Sequence, residues 1–245
     1  MQFGFGSGSA YAVDSVANPT PAPFGILQDL SVDFSFTNKE LTGQFGFPVA
    51  VGRGTGKIAC KAKNARLSGR LLNMFFSGTK ATGQTSVAQD EGPTAIPGTP
   101  FQITVANGAT FVTDLGVFDS ATGIPFVRVA AAPAVGQYTV SAGGVYLFNT
   151  GDTGKNVKIS YTFTISATGE SITITNPLIG VAPTFKAVAT QLFNTLRNTL
   201  TLNANVFTKL GWATKLEDFA IPEMDFSSFA DSANNIGTWS VAEAS

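Results

Sequence analysis

The chain has 245 residues, 15 basic and 16 acidic side chains, a net charge of −1, no histidine and one cysteine. The near-zero charge argues against a nucleic-acid or membrane-surface binder, and the missing histidine removes the commonest general base and transition-metal ligand. Cys60 alone permits no internal disulfide, and the length suffices for one large β domain or two smaller ones.

Residues 1 to 25 open with "MQFGFGSGSAYAV" and carry "NPTPAP". They show no steady periodicity and read as an extended arm, held in place only if something packs on it, with neither the basic segment nor the apolar run of a signal peptide. "LSVDFSFT" then alternates: Leu30, Val32, Phe34 and Phe36 face one way and Ser31, Asp33, Ser35 and Thr37 the other. "NKE" at 38–40 breaks the phase and predicts a turn. Apolar residues resume at Leu41, Phe45, Phe47, Val49 and Val51.

"VGRGTGKIAC" invites comparison with a phosphate-binding P-loop, which needs a glycine five residues before Gly56 and a hydroxyl after Lys57. Val51 and Ile58 occupy those places. The stretch reads instead as a glycine-rich connection into a strand, "KIACKAKNARL", with Cys60 buried on its apolar phase. "SGRLLNMFFSG" predicts a short helix capped by Ser68 and stopped by Gly78, its apolar face made by Leu71, Leu72, Phe75 and Phe76. So short a helix needs a sheet to pack on.

Residues 79–100 look like a linker. "FQITV", "FVTDLGVFD", "PFVRVA", "QYTVSAGGVYLF" and "VKISYTFTIS" follow as short strands with hairpin turns, the pattern of a small immunoglobulin-type sandwich over 95–168. "SITITNPL", "KAVATQLF", "TLTLNANVF" and "GTWSVAE" read as further strands separated by turns and acidic loops. The expectation is therefore a mainly β chain in three stretches: 1–94, an immunoglobulin-like unit at 95–168, and 169–245.

Charge is unevenly placed. Residues 53–80 hold Arg53, Lys57, Lys61, Lys63, Arg66, Arg70 and Lys80 without an acid, and residues 216–245 hold Glu217, Asp218, Glu223, Asp225, Asp231 and Glu243 without a base. They are either two ordinary solvated surfaces or complementary patches that orient one copy against the next. Neither Glu217/Asp218 nor Glu223/Asp225 shows the separation and cleft of a glycosidase pair, "GDTGKN" has too few oxygens for calcium, and no stretch approaches the roughly 18 apolar residues of a membrane span. No motif supports an enzyme, a cofactor or a metal.

"NPTPAPFGILQDLSVDFSFTNKELTGQFGFPVAVGRGTGKIACKAKNARLSGRLLNMFF" resembles the first half of tail tube (major tail) proteins of long-tailed bacteriophages. "LTLNANVFTKLGWATKLEDFAIPEMDFSSFADSANNIGTWSVAE" is similar to their end, and "TDLGVFDSATGIPFVRVA" and "GQYTVSAGGVYLF" to the middle of some members. The resemblance implies a β-sandwich or barrel with a flanking helix and an added immunoglobulin-like unit. It also implies hexameric rings, joined through their inner sheets and stacked into a virion tail tube that is assembled in the bacterial cytoplasm. Implied partners are further copies of the chain, a tape-measure protein, tail terminator and distal tail proteins, and double-stranded DNA in transit, with no membrane insertion and no catalytic residue.

A basic lining would hold DNA, so a neutral or acidic channel is expected, contributed by Asp29, Ser31, Asp33, Ser35 and Glu40. Arg53, Gly54, Lys57, Lys61 and Lys63 on one side, and Glu217, Asp218, Glu223 and Asp225 on the other, are expected at contacts between copies, with "FPVAVGRGTGK" as a long loop reaching a neighbour. The competing expectation is a virion decoration or host-adhesion module, which exposed loop aromatics would favour; Trp212 and Trp239 read as packing residues.

Overall fold

The computed structural model describes residues 6, 8–44, 46–193 and 196–242; Phe45 and Glu243, both named above, lie outside them. The chain is mainly β, with a single α-helix among the described residues and several largely antiparallel sheets. It divides into two units, Met1–Lys80 with Ile172–Ser245, and Ala81–Ser171.

The first unit is built on β1 (Ser9–Asp14), β2 (Ala22–Pro23), β3 (Gly25–Thr42) and β4 (Pro48–Arg66), followed by α1 (Gly69–Phe76). It is completed by β12 (Phe185–Phe193), β13 (Leu196–Gly211), β14 (Glu223–Phe229) and β15 (Gly237–Val241). The strand order is β2-β1-β12-β13-β14-β4-β3, with β15 paired to β13 where β14 has left it. The alternation of "LSVDFSFT" holds: Leu30 and Val32 sit across from Ala62 and Cys60 and pack on the core. Phe185 stacks on Phe207 at 4.2 Å, ringed by Phe226, Phe24 and Phe75. Asn205 is fully buried beside the register shift between β12 and β13, where its amide donates to the carbonyls of Phe185 and Leu202 at 2.9 and 3.0 Å.

The helix forms where the spacing predicts it, with the Ser68 hydroxyl accepting from Leu71 N. Its buried residues are Leu71 and Met74, while Leu72 and Phe75 pack from the side. It ends at Ser77 in a left-handed conformation, one residue before the expected Gly78.

The N-terminal arm is held in place over residues 8–24: β1 pairs with β12, and Ala10, Ala12, Ala22 and Phe24 are core. Two readings are corrected. Residues 79–95 are a strand, β5, rather than linker. "NKE" does not turn the chain, because β3 runs on to Thr42 and the turn follows it.

The second unit is a two-sheet sandwich with its own strand order. Along the chain come β5 (Thr79–Ala95), β6 (Gln102–Thr104), β7 (Phe111–Asp119), β8 (Val127–Arg128), β9 (Gln137–Val140), β10 (Val145–Phe148) and β11 (Asn156–Thr173). The sheets are β5-β11-β7 and β6-β10-β9-β8, and the unit's boundaries fall inside β5 and β11. Both sheets supply one core, including Val117, Val157, Ile159 and Tyr161 from the first and Ile103, Tyr138, Tyr146 and Phe148 from the second. The sheets are tied by Asp114 of β7, which accepts from the hydroxyls of Tyr138 at 2.7 Å and Tyr146 at 2.9 Å.

Candidate assembly interface

β14 stops pairing with β4 at Ile58. Beyond that point β3 and β4 continue as a two-stranded arm to the turn near Thr42 and Pro48. From Phe34 to Thr42 the arm advances roughly 27 Å at the usual rise per strand residue. Every described residue from Asp33 to Arg53 is exposed. A two-stranded hairpin is marginal in water without a surface to lie on.

The glycine-rich stretch is therefore inside a strand, not in a loop. Its glycines make room for side chains of β3. A Cβ on Gly56 would stand 2.8 Å from the Phe36 ring, and one on Gly54 would collide with the Thr37 hydroxyl. Phe36 lies over Gly56, and the Arg53 guanidinium covers the ring at 3.5 Å from its centroid. Arg53 is thus held within its own chain as a cation–π partner. β4 gains one residue against β3 between Phe36 and Asn38, a bulge that adds local twist.

The register overturns the expected separation of charge. Asp29 pairs with Lys63, Ser31 with Lys61, Asp33 with Ala59 and Ser35 with Lys57. Directly paired residues project to the same face of a sheet, so these acids and lysines share one face. β14 extends it, since Glu223 pairs with Lys63 and Asp225 with Lys61. Lys61 reaches Glu223 at 2.8 Å, and Lys209 reaches Glu223 at 3.2 Å and Asp225 at 3.9 Å.

The basic and acidic runs expected to meet between copies thus meet inside one chain at Lys61, Glu223 and Asp225, because β4 and β14 are neighbours. Those lysines hold the Glu223 carboxyl below its ordinary range, Lys61 first and Lys209 second. On this face Asp29, Asp33, Glu223 and Asp225 are matched by Lys57, Lys61, Lys63 and Lys209. Glu40 does not belong to it: β3 alternates regularly between Phe36 and Glu40, which places Glu40 in phase with Phe34 and Phe36.

β3 is the terminal strand of the sheet order, so the outer edge of this 18-residue strand carries no further strand among the described residues. The sheet curls enough for Phe34 of β3 to stack on Trp239 of β15 at 6.0 Å. A cleft of about 500 Å³ lies between them, lined by Gln28, Leu30 and Val32 of β3 and by Thr190, Leu200 and Trp239. The two tryptophans are not core residues: Trp212 is 75% exposed and Trp239 61% exposed. Trp212, Leu216 and Phe219 all stand out from the loop between β13 and β14. Glu217 and Asp218 lie on this loop, where Asp218 is bridged at 3.3 Å by Lys215. Sequence reading missed β14 itself, although Met224 and Phe226 alternate with Glu223 and Asp225 as a half-buried strand requires.

Cys60 is buried, and burial first, with the nearby Asp33 charge adding to it, pushes the thiol up to about 11. Maleimide at about pH 8 is expected to leave Cys60 unmodified in the native protein and to label it fully in guanidinium. Rapid native labelling would show that the β3–β4–β14 region opens readily. Among the described residues no group of three or more His, Cys, Asp or Glu is placed to hold a metal ion, and no helix is long and apolar enough to cross a membrane.

No protein-family model matches the chain, and no curated protein matches it.

Proposed function

We propose that the chain is a structural subunit that polymerises through its sheet, as the tail tube protein of a long-tailed bacteriophage. The observation that carries this reading is β3: among the described residues it ends the sheet order, its outer edge from Asp29 to Thr42 meets no further strand, and it is continued by a two-stranded arm. A strand edge of that length is a template for pairing with another chain. It contains no proline, the residue that most directly blocks such pairing.

Joined edge to edge, copies would form rings whose sheets run on from one subunit to the next. Hexameric rings stacked into a tube, built around a tape-measure protein and closed by terminator and distal tail proteins, are the form of this assembly that the sequence resemblance favours. The channel lining in this reading is the face of β3, β4 and β14 that carries Asp29, Ser31, Asp33 and Ser35. Lys57, Lys61 and Lys63 go with them. Because the acids on that face balance the lysines, the surface offers DNA no net positive charge to release counterions onto. Passage of double-stranded DNA without retention follows from balance rather than from an acidic lining.

A decoration or host-adhesion module is the second reading, favoured by the exposed Trp212 and Phe219 on one loop. Electron microscopy of the purified protein over a concentration series separates the two. Hollow tubes or closed rings are expected; particles that remain single at every concentration, alone and with tail initiator proteins, would contradict polymerisation and favour the module.

A further inference from the structure

The connection from β11 to β12, residues 174–184, carries no charged side chain; the nearest are Glu170 and Lys186. Every residue from Thr173 to Ala182 is exposed. The tip is a turn in which Val181 N donates to the Leu178 carbonyl at 3.1 Å, with Gly180 at a φ of 92°, a conformation that favours glycine. Leu178 is 82% exposed, and Ile179, at 106%, is the most exposed of all the large apolar side chains described. Pro177 and Pro183 flank the turn and restrict its backbone. The result is an apolar knob presented in one shape. Contiguous exposed apolar groups mark a contact site, and a restricted backbone lowers the cost of using it.

The cleft between β3 and Trp239 is the matching hole. Leu30, Val32, Ala189 and Leu200 supply its apolar lining, and its volume of about 500 Å³ can take a few aliphatic side chains. Asp29 is the one charged residue among its described lining residues, and it pairs with Lys63 across β3 and β4, so an uncharged occupant suits it. Knob and cleft belong to opposite ends of β12. The Ser15 hydroxyl donates to the Thr184 carbonyl at 2.8 Å and holds the connection at the Phe185 end. The cleft lies at the other end, by Ala189, Thr190 and Gln191; Phe185 and Gln191 are roughly 20 Å apart at the usual strand rise. Each copy can therefore offer its knob to one neighbour while its cleft receives another's, a contact that repeats around a ring or along a filament.

We infer that the Leu178–Val181 turn of one copy seats in the cleft of a second copy, with Leu178 and Ile179 against Leu30, Leu200 and Trp239. This rests on the proposal that the chain polymerises and names the segment that meets the β3 edge. The cleft borders β3 at Asp29, where the outer edge opens, so the knob brings the neighbour beside that edge.

Two full-length variants test the contact. Ile179→Asp changes a fully exposed side chain, so its thermal midpoint should match the parent's. The concentration it needs for assembly should rise roughly tenfold or more, as loss of a buried aliphatic side chain requires. Assembly at the parent's concentration would overturn the contact. In the second variant p-benzoylphenylalanine replaces Val181, and unlabelled and heavy-isotope-labelled protein are mixed before illumination. Cross-links between copies, from the turn to peptides carrying Leu30 or Leu200, are expected. Assemblies cross-linked only elsewhere would overturn the contact and leave polymerisation standing. The same cross-link within single chains in dilute protein would show the knob filling its own cleft, and would also overturn it. If the unsubstituted protein forms no assembly, alone or with tail initiator proteins, and the variant gives no cross-link between copies, both readings fall.

Discussion

Replacing residues 37–55 by Asn-Gly is expected to leave a folded protein that no longer polymerises. The replacement joins Phe36 to its cross-strand partner Gly56 through the two-residue turn that suits a twisted hairpin. The fold should survive because the core on this strand pair is made by Leu30, Val32, Ile58, Cys60 and Ala62, all of which are retained. The described residues removed are exposed or, at Gly54, partly so, and surface changes of this kind cost about 1 kcal/mol or less. Assembly should fail because the arm's apolar tip is lost. Thermal unfolding and sedimentation velocity read the two effects separately. A truncated protein that polymerises like the parent would remove the arm from the assembly mechanism; one that unfolds would show that the arm supports the core.

Asp114→Ala is expected to be the most destabilising single change in the second unit. Tyr138 and Tyr146 are 2% and 0% exposed, and both hydroxyls donate to this carboxylate, which also accepts from Gly116 N at 3.0 Å. Truncation strands two buried hydroxyls at about 1–3 kcal/mol each, so a loss of roughly 3 kcal/mol or more is expected. Removing the donors as well, in Asp114→Ala with Tyr138→Phe and Tyr146→Phe, should recover much of it, because deleting both sides of a buried bond is far cheaper than deleting one. A triple variant as unstable as the single one would show that packing, not the stranded hydroxyls, sets the loss.

The same cluster gives an alkaline limit. Burial first, and then the bond to Asp114, hold both phenols protonated well above their ordinary range. A raised folded value means that the unfolded chain releases these protons first. Stability is therefore intact below the ordinary phenol value of about 10 and falls as pH rises past it. Denaturant midpoints of the second unit should drop above that point, and less so in the doubly substituted Tyr→Phe protein.

The fold was legible wherever one face of a strand is buried and the other wet. "LSVDFSFT" and "KIACKAK" show their faces directly, and the helix shows its cap at Ser68. β5 was not legible, because "TKATGQTSVA" is exposed on most of its length and so has no apolar phase to read. Its backbone is also broken by positive φ at Gly83, Asp90 and Gly92. "NKE" looked like a turn for a related reason: on an arm wet on both faces, polarity carries no phase. The acidic content of "EMDFSSF" hid a strand whose alternation was present. The candidate interface was legible in its residues but not in its pairing. Lys61 and Glu223 are 162 positions apart in the chain, and only the adjacency of β4 and β14 makes them partners. Likewise, nothing in a single strand's sequence says that it ends the sheet order, which is the property of β3 on which the proposed function turns.

That property can be measured by amide hydrogen exchange along β3, in dilute protein and in assembled protein. In the monomer, amides between Asp29 and Thr42 should fall into two classes: those paired with β4, which are slow within the core region, and those on the outer edge, which exchange fast. On assembly the outer-edge amides are expected to become slow. Assembled protein in which they still exchange at the monomer's rate would contradict edge-to-edge joining through β3.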